Sequence, residues 1–594
     1  MKSIFKNRFF ALVILIPFYS IAVFSQEVPH PISNTGVYNF LDELANDQVI
    51  SLISAIKPYS RTFIAKCLTE AEGKRDKLTR RQQKELDFYL RDFWKEGARV
   101  RGCEPSFASS FIPFRRTKKA TEGKRFDGSM VRSGDSSMVR LLNRSIVEVF
   151  RRGNGERNFF KRLREAQRLD LFYYKDSLFS ITVNPILGGE MFLNSSGKAT
   201  YWRNGAEARA YVGKWGFYAS LRDNHEKPFL GRPEFLTPRQ GGHIKGSTDW
   251  SEMKGGITYS WKWGSAGLVK DNIEWGTNYN GANILGGRNP SFIHLRLQLK
   301  PAKWFTFNYI HGWLNSMVVD SANSYWLTNT YGTDYREVYH KKFIAANMFT
   351  FTPVKFLNIS AGNSIVYNNT SVNPAYLMPL FLYKSVDHSL TSGIDNMNSQ
   401  MFLDISSRQI KHLHLYASLF IDELAISRIP KDDEWNFLSW KAGFRLSNYP
   451  LTDVYFTTEY TYTYPLTFQH YVPTITFESN KYNLGHYLTD NSREWYISAG
   501  YRPFSNLDIQ LYFSDAVRGP DYTELGVPRV GNPPLESVEW HNTSLGLRGS
   551  YQLIHDLYGW LSFNHGNISG DKRWSAGYFY GKKNTINAGV TLGF

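Results

Sequence analysis

The sequence predicts a transmembrane antiparallel β-barrel of about 18 strands preceded by a small N-terminal periplasmic helical domain. Three observations carry this reading. From Asp170 to Phe594 the apolar residues recur every second position over long stretches. Tight turns in that region alternate with long polar connections. The only long uncharged apolar run is Phe9 to Gln26, and a spanning helix needs about 20 such residues, so any crossing of a bilayer falls to strands.

Composition narrows the class further. The chain has 594 residues, 42% of them hydrophobic and 16% aromatic, too many for a disordered protein. Lys2, Lys6 and Arg8 precede Phe9–Phe24, with Val23 and Ser25 before Gln26. That is an export-signal pattern over residues 1–25, and Pro17, Tyr19 and Ser20 make the run short for an uncleaved anchor. An exported chain has little use for nucleic acid, despite a formal charge of +17. Two cysteines, Cys67 and Cys103, allow one bridge at most and match no metal motif.

Residues 26–100 read as a helical module. Val37, Phe40, Leu41 and Leu44 recur at helical steps, Ser60 is placed to cap a segment carrying Phe63, Ile64 and Leu68, and Thr79 with Gln82 forms a capping-box pattern. Such segments cannot bury their apolar stripes alone and are expected to dock either on one another or on the following domain. Residues 101–169 form a basic linker or insert. Between 97 and 170 there are eighteen Lys and Arg against eight Asp and Glu, with an expected strand at Leu141–Phe150 and helix at Phe159–Leu169.

Residues 170–594 form the expected barrel. Ile293, Leu295, Leu297 and Leu299 alternate with His294, Arg296 and Gln298, and Leu413, Leu415, Ala417 and Leu419 alternate with His414, Tyr416 and Ser418. Short turns fall at Gly213-Lys214, Gly264-Ser265, Pro301–Lys303, Pro353–Lys355, Ile410-Lys411, Asn448–Thr452, Pro503–Asn506 and Ile554–Asp556. Eight short turns with both ends on one side imply nine long loops and about 18 strands. Trp215, Trp261, Trp263, Trp304, Phe356, Tyr449, Phe504 and Tyr558 stand beside these turns, where an interfacial girdle belongs. The chain ends on a strand, Ile586 to Phe594, expected to pair with Leu171–Val183 because an open edge in lipid leaves backbone groups unsatisfied.

Several local patterns resemble a known family. They are Asn34-Thr35-Gly36-Val37-Tyr38-Asn39-Phe40-Leu41-Asp42-Glu43-Leu44, Lys57-Pro58-Tyr59-Ser60-Arg61, Tyr218 to Asn224, Asn278-Tyr279-Asn280-Gly281, Val372 to Tyr376 and Glu478 to Tyr487. Together with a long barrel they resemble the Wzi-like capsule assembly family of Bacteroidota outer-membrane proteins. The resemblance implies an 18-stranded barrel, a periplasmic helical bundle and a lectin-like role in attaching capsular polysaccharide. It implies surface polysaccharide and outer-membrane lipid as partners, and the terminal Phe594 suggests barrel-insertion machinery as another.

No His-Glu-x-x-His, Gly-x-Ser-x-Gly, phosphate-loop or Cys-x-x-Cys motif occurs, so no enzyme, cofactor or metal function is expected. Sugar binding needs amides and carboxylates for hydroxyls and an aromatic face for the ring. Strands leaving the short turns rise to the outer rim. This places Arg222, Asp223, Asn224, His225 and Glu226 level with Glu274, Trp275, Asn278, Tyr279 and Asn280, and with Asn483, His486 and Tyr487 of the loop Lys481–Asn491. Arg288 adds a positive charge for an acidic glycan. These are the candidate glycan contacts. Equally, they could satisfy one another and close the pore. An open porin or solute channel is the alternative function, while a TonB-driven receptor fits poorly because it needs a plug domain and a larger barrel.

Overall fold

In the computed structural model, residues 27–100, 168, 170–243, 248–330, 332–390, 394–429, 431, 434–522 and 533–594 are described. The expected export signal, Cys103 and almost all of the basic segment lie outside them.

Four helices make up the N-terminal module: α1 (Thr35–Asn46), α2 (Arg61–Glu72), α3 (Arg80–Asp92) and α4 (Trp94–Val100). Ser60 caps α2, its hydroxyl accepting from Phe63 N at 3.1 Å. The Thr79–Gln82 capping box forms at the start of α3. α4 goes beyond the three expected segments. The apolar stripes converge on one core in which Phe40, Leu41, Leu44, Ile64, Leu68, Ala71 and Leu86 are fully buried. Each larger side chain there contributes roughly 1.5–3 kcal/mol of burial.

Eighteen antiparallel strands, from Phe179–Asn194 to Gly581–Leu592, close into a barrel. Most are 10 to 16 residues long, enough to cross a bilayer at a tilt. The wall has its polarity reversed relative to a soluble sandwich. On the strand Met397–Ser407, Leu403 and Ile405 are 45% and 46% exposed, whereas Asp404 and Ser406 between and beyond them are each 1% exposed. The next strand repeats this, with Leu415 out and His414, Tyr416 and Ser418 buried. Outward apolar and inward polar residues define a lipid-facing surface around a polar lumen.

All eight expected short turns are present, within about two residues of their predicted places. The outer connections are long except the first, where Ser195 and Ser196 alone join Phe179–Asn194 to Gly197–Val212. Closure also differs from the expectation. The last strand pairs with the second half of the first, Ile586 with Leu193 through Leu592 with Leu187. The first barrel strand is 16 residues long and outruns the 12-residue final strand, so its early part needs another neighbour. Phe172–Lys175 supplies it by folding back onto Ser180–Val183.

Trp215, Trp263, Trp304, Tyr449 and Phe504 are exposed beside the short turns, as an interfacial girdle requires. Tyr558 departs from that girdle because it takes the lumenal parity of its strand, whereas Trp261 keeps the outward parity of Met253 and Ile257 and is half-buried at the strand's end. The Tyr558 hydroxyl donates to Asn34 Oδ1 at 2.7 Å, and Trp261 lines a cleft beside α2.

Candidate functional site

The lumen is filled from both ends. At the short-turn end, α1 presents Asp42, Glu43, Asn46 and Asp47 to the barrel, because the residues left over from its apolar stripe face the polar wall. Arg408 donates to Asp42 Oδ1 and Asn46 Oδ1, both at 2.6 Å. Arg502 donates to Glu43 Oε2 at 2.5 Å, and Asn448 reaches Glu43 and Asp47. Burial pushes the Glu43 carboxyl up, but Arg81 and Arg502 outweigh it and hold it at about 2. At Glu85 on α3 burial wins instead: Arg81 at 2.6 Å does not compensate, and the carboxyl is pushed up to about 7. Phe88 stacks on His555 of a short turn, and Tyr89 donates to Gln552.

Arg168 joins this module to the barrel. Its guanidinium donates to Asp92 at 2.6 Å, to Asp170 at 3.2 Å and to Asp556, which also accepts from Asn34.

From the outer end, the connection between 271 and 292 does not stand at the rim. It descends into the lumen and meets the module. Glu274 and Trp275 form a two-residue antiparallel pairing with Lys57 and Ile56, reinforced by Lys57 Nζ to Glu274 Oε1 at 2.7 Å. Trp275 is buried edge-on against Phe402, and Asn278 donates back to Glu274 at 3.1 Å. The Tyr279 hydroxyl donates to Asp42 Oδ2 at 2.7 Å and lies 2.8 Å from His414 Nδ1, while its amide donates to Glu459. Asn280 donates to Glu494 at 2.9 Å. The positive φ of Gly276 and Gly281 provides the sharp bends that let the segment turn down.

Two further connections lie over it. Gly286 N donates to Leu484 O at 2.7 Å, and Tyr482 OH donates to Gly231 O at 2.8 Å. Arg288 is buried against the Tyr482 ring and donates to the carbonyls of Arg232 and Arg239. Burial lowers it to about 10, with no carboxylate in ion-pair range among the described residues. Asn483 donates to His486 O, Tyr487 donates to Glu494 at 2.5 Å, and His486 Nε2 is 3.7 Å from Glu494.

The remaining candidates are divided by strand parity. Arg222, Asn224 and Glu226 point inward and are buried, whereas Asp223 and His225 point outward, where Ser251 bonds Asp223 and Trp202 stacks on His225. The inward three line a lumenal chamber of about 460 Å³ between the module and the 228–243 connection. Tyr201, Arg203, Arg239, Trp250, Arg548 and Trp560 share its wall. The sequence reading did not single these out as site residues, although extending the Glu207–Arg209–Tyr211 parity back through Gly205 would have found Arg203 and Tyr201. A second feature it missed is an outer hairpin, Tyr325–Asn329 with Gly332–Arg336, on which Trp326 and Tyr335 pair across the strands 5.1 Å apart and are 69% and 42% exposed.

A match among solved structures spans nearly the whole chain. It is Wzi of Escherichia coli, an outer membrane protein involved in group 1 capsule assembly and described as a carbohydrate-binding β-barrel. The alignment has a TM-score of 0.53 at 10% identity and covers 96% of this chain and 100% of Wzi. The fold is Wzi-like. Pseudomonas aeruginosa OccD3 (OpdP) matches at TM-score 0.39 and 12% identity, covering 69% of this chain and 90% of its own, and OpdK with vanillate at 0.39 and 8%, covering 69% and 98%. No sequence-family model and no curated protein sequence matches the chain.

Proposed function

We propose that this protein is an outer-membrane barrel that binds surface polysaccharide and supports capsule assembly or attachment, with the helical module on the periplasmic side. The observation that carries this reading is the filled lumen. An outer connection reaches through the barrel to bond Asp42 of α1, a poor design for a solute channel and a sound one for a rigid surface receptor. The whole-chain likeness to a barrel described as carbohydrate-binding supports the same reading. Outer-membrane lipid is the partner of the apolar wall, and barrel-insertion machinery the partner of the strand Gly581–Leu592.

The residues proposed to meet glycan at the surface are Asp223 and His225 near the outer rim and the aromatic pair Trp326–Tyr335 on the projecting hairpin. An exposed ring pair offers a stacking face for a sugar at little conformational cost. The buried candidates, Glu274 to Asn280 and Asn483 to Tyr487, act by fixing the loops that carry such a surface. No reaction is assigned to the protein.

Deleting the protein in its host should release polysaccharide from the cell surface, and Trp326→Ala should reduce retention while leaving the barrel folded. Polysaccharide retained at the wild-type level in the deletion strain would leave the reading without support.

A further inference from the structure

We propose that the lumenal chamber is a second saccharide site, selective for a sugar that carries a carboxylate. This rests on the polysaccharide reading above and names the glycan chemistry that the barrel interior would take. At about 460 Å³ the chamber falls within the roughly 300–1,000 Å³ usual for small-molecule sites.

The wall supplies each group that such a ligand needs. Trp560 lies against Gly589, where a Cβ would stand 2.2 Å from the indole Cζ2, so the glycine is what lets the ring lie along the wall. Its Nε1 donates to Asn587 Oδ1 at 3.0 Å and contacts Glu190 Oε1 at 3.3 Å, which fixes the ring as a stacking plate. Tyr201, held by a 2.8 Å bond to Asn224 and stacked with Trp250, adds a second aromatic surface.

The charges are unevenly matched. Arg222 pairs with Glu252, Arg239 with Glu226 and Glu190, and Arg502 with Glu43. Arg203 and Arg548 have no carboxylate within ion-pair distance among the described residues. Arg203 donates to Thr591 Oγ1 at 2.5 Å and to Gly593 O at 2.9 Å. Its Nε is buried without a hydrogen-bond partner, as are Arg222 Nε and Glu252 Oε1 on the same wall. The buried Nε of Arg203 is unfavourable without an anion, and Arg548, exposed on the chamber wall, is placed to take a ligand carboxylate bidentately. Glu85, Glu190, Glu226, Glu252 and Asp508 line the same space, which disfavours a polyphosphate or other dense polyanion and offers acceptors for sugar hydroxyls.

The test is calorimetric titration of the full-length, detergent-solubilised protein with a glucuronic-acid-containing tetrasaccharide and with its carboxyl-reduced neutral counterpart. The acidic form should bind at least tenfold more tightly. Arg548→Gln should abolish that preference by weakening the acidic ligand alone, Arg548→Lys should restore part of it, and Trp560→Leu should weaken both ligands. Heat-modifiable gel mobility reports that each variant is folded. Equal affinity of the wild type for the two ligands, or an unchanged acid preference in Arg548→Gln, would overturn the assignment. If the preference is absent while deletion still releases surface polysaccharide, the chamber assignment falls and the surface reading stands. If the preference is present while deletion releases nothing, the surface reading falls and the chamber assignment stands.

Discussion

The Tyr279 hydroxyl, carried by an outer connection, donates to Asp42 Oδ2 of α1 at 2.7 Å, so the two ends of the molecule meet inside the barrel. Arg408 holds the other oxygen of the same carboxylate at 2.6 Å, and His414 sits 2.8 Å from the hydroxyl. Burial pushes the Asp42 carboxyl up, but Arg408 and Arg445 outweigh it and keep it ionised, well below the usual carboxylate range. Tyr279→Phe leaves a buried charge and an imidazole each short of one bond, at a cost of about 1–3 kcal/mol. A lower unfolding temperature by heat-modifiable gel mobility is the expected outcome, and an unchanged one would mean that the contact contributes nothing to the plug.

Arg168 gathers three carboxylates, Asp92, Asp170 and Asp556, on one guanidinium between the module and the barrel. Arg168→Met should destabilise the barrel–module joint by roughly 3–5 kcal/mol, since it leaves three carboxylates without their shared cation. Protease sensitivity of the module, measured on the folded barrel, is the readout. Removing one of the orphaned charges, as with Asp92→Asn in the same chain, should recover part of the loss.

Two glutamates of the module give opposite pH dependences. Glu43 titrates near 2 in the folded protein against an ordinary 4.5, so its stabilisation is present above 4.5 and is lost as pH falls through 2. Glu85 is raised to about 7, so its contribution is full below 4.5 and is lost as pH rises through 7. Glu85→Gln should therefore flatten the decline in module stability between pH 5 and pH 8, with the larger gain at pH 8. Thermal unfolding at those two pH values decides it.

The reversed polarity of the wall makes a positional prediction. Leu403→Arg places a charge on the lipid face near the middle of the strand Met397–Ser407 and should cost about 2–4 kcal/mol. Ser407→Arg, at the end of the same strand, should cost less, because the penalty falls towards the interface. Refolding yield into vesicles compares the two.

Much of the fold was legible because barrel geometry is a local signal. Parity at Leu413–Ile421, tight turns such as Gly213-Lys214 and the Thr79–Gln82 box each need only a few neighbouring residues. The interior was not legible in that way. Tyr279 meets Asp42 across 237 positions, and a loop that fills a lumen has the same polar, glycine-bearing composition as one that stands at a rim. The Arg222–Glu226 cluster was divisible from sequence, since successive strand residues face opposite sides, and reading it as one patch overlooked that parity. Arg203 was legible by parity as a lumenal residue, but that it shares one chamber with Trp560 became visible only once strands 197–212 and 557–570 were brought together.

Single-channel recording in a planar bilayer tests the central claim most directly. The full-length protein, inserted with its module intact, should show no steady conductance, because the 272–291 segment and α1 close the lumen against each other. A stable, voltage-independent open current from correctly folded protein would contradict that closure and favour a channel.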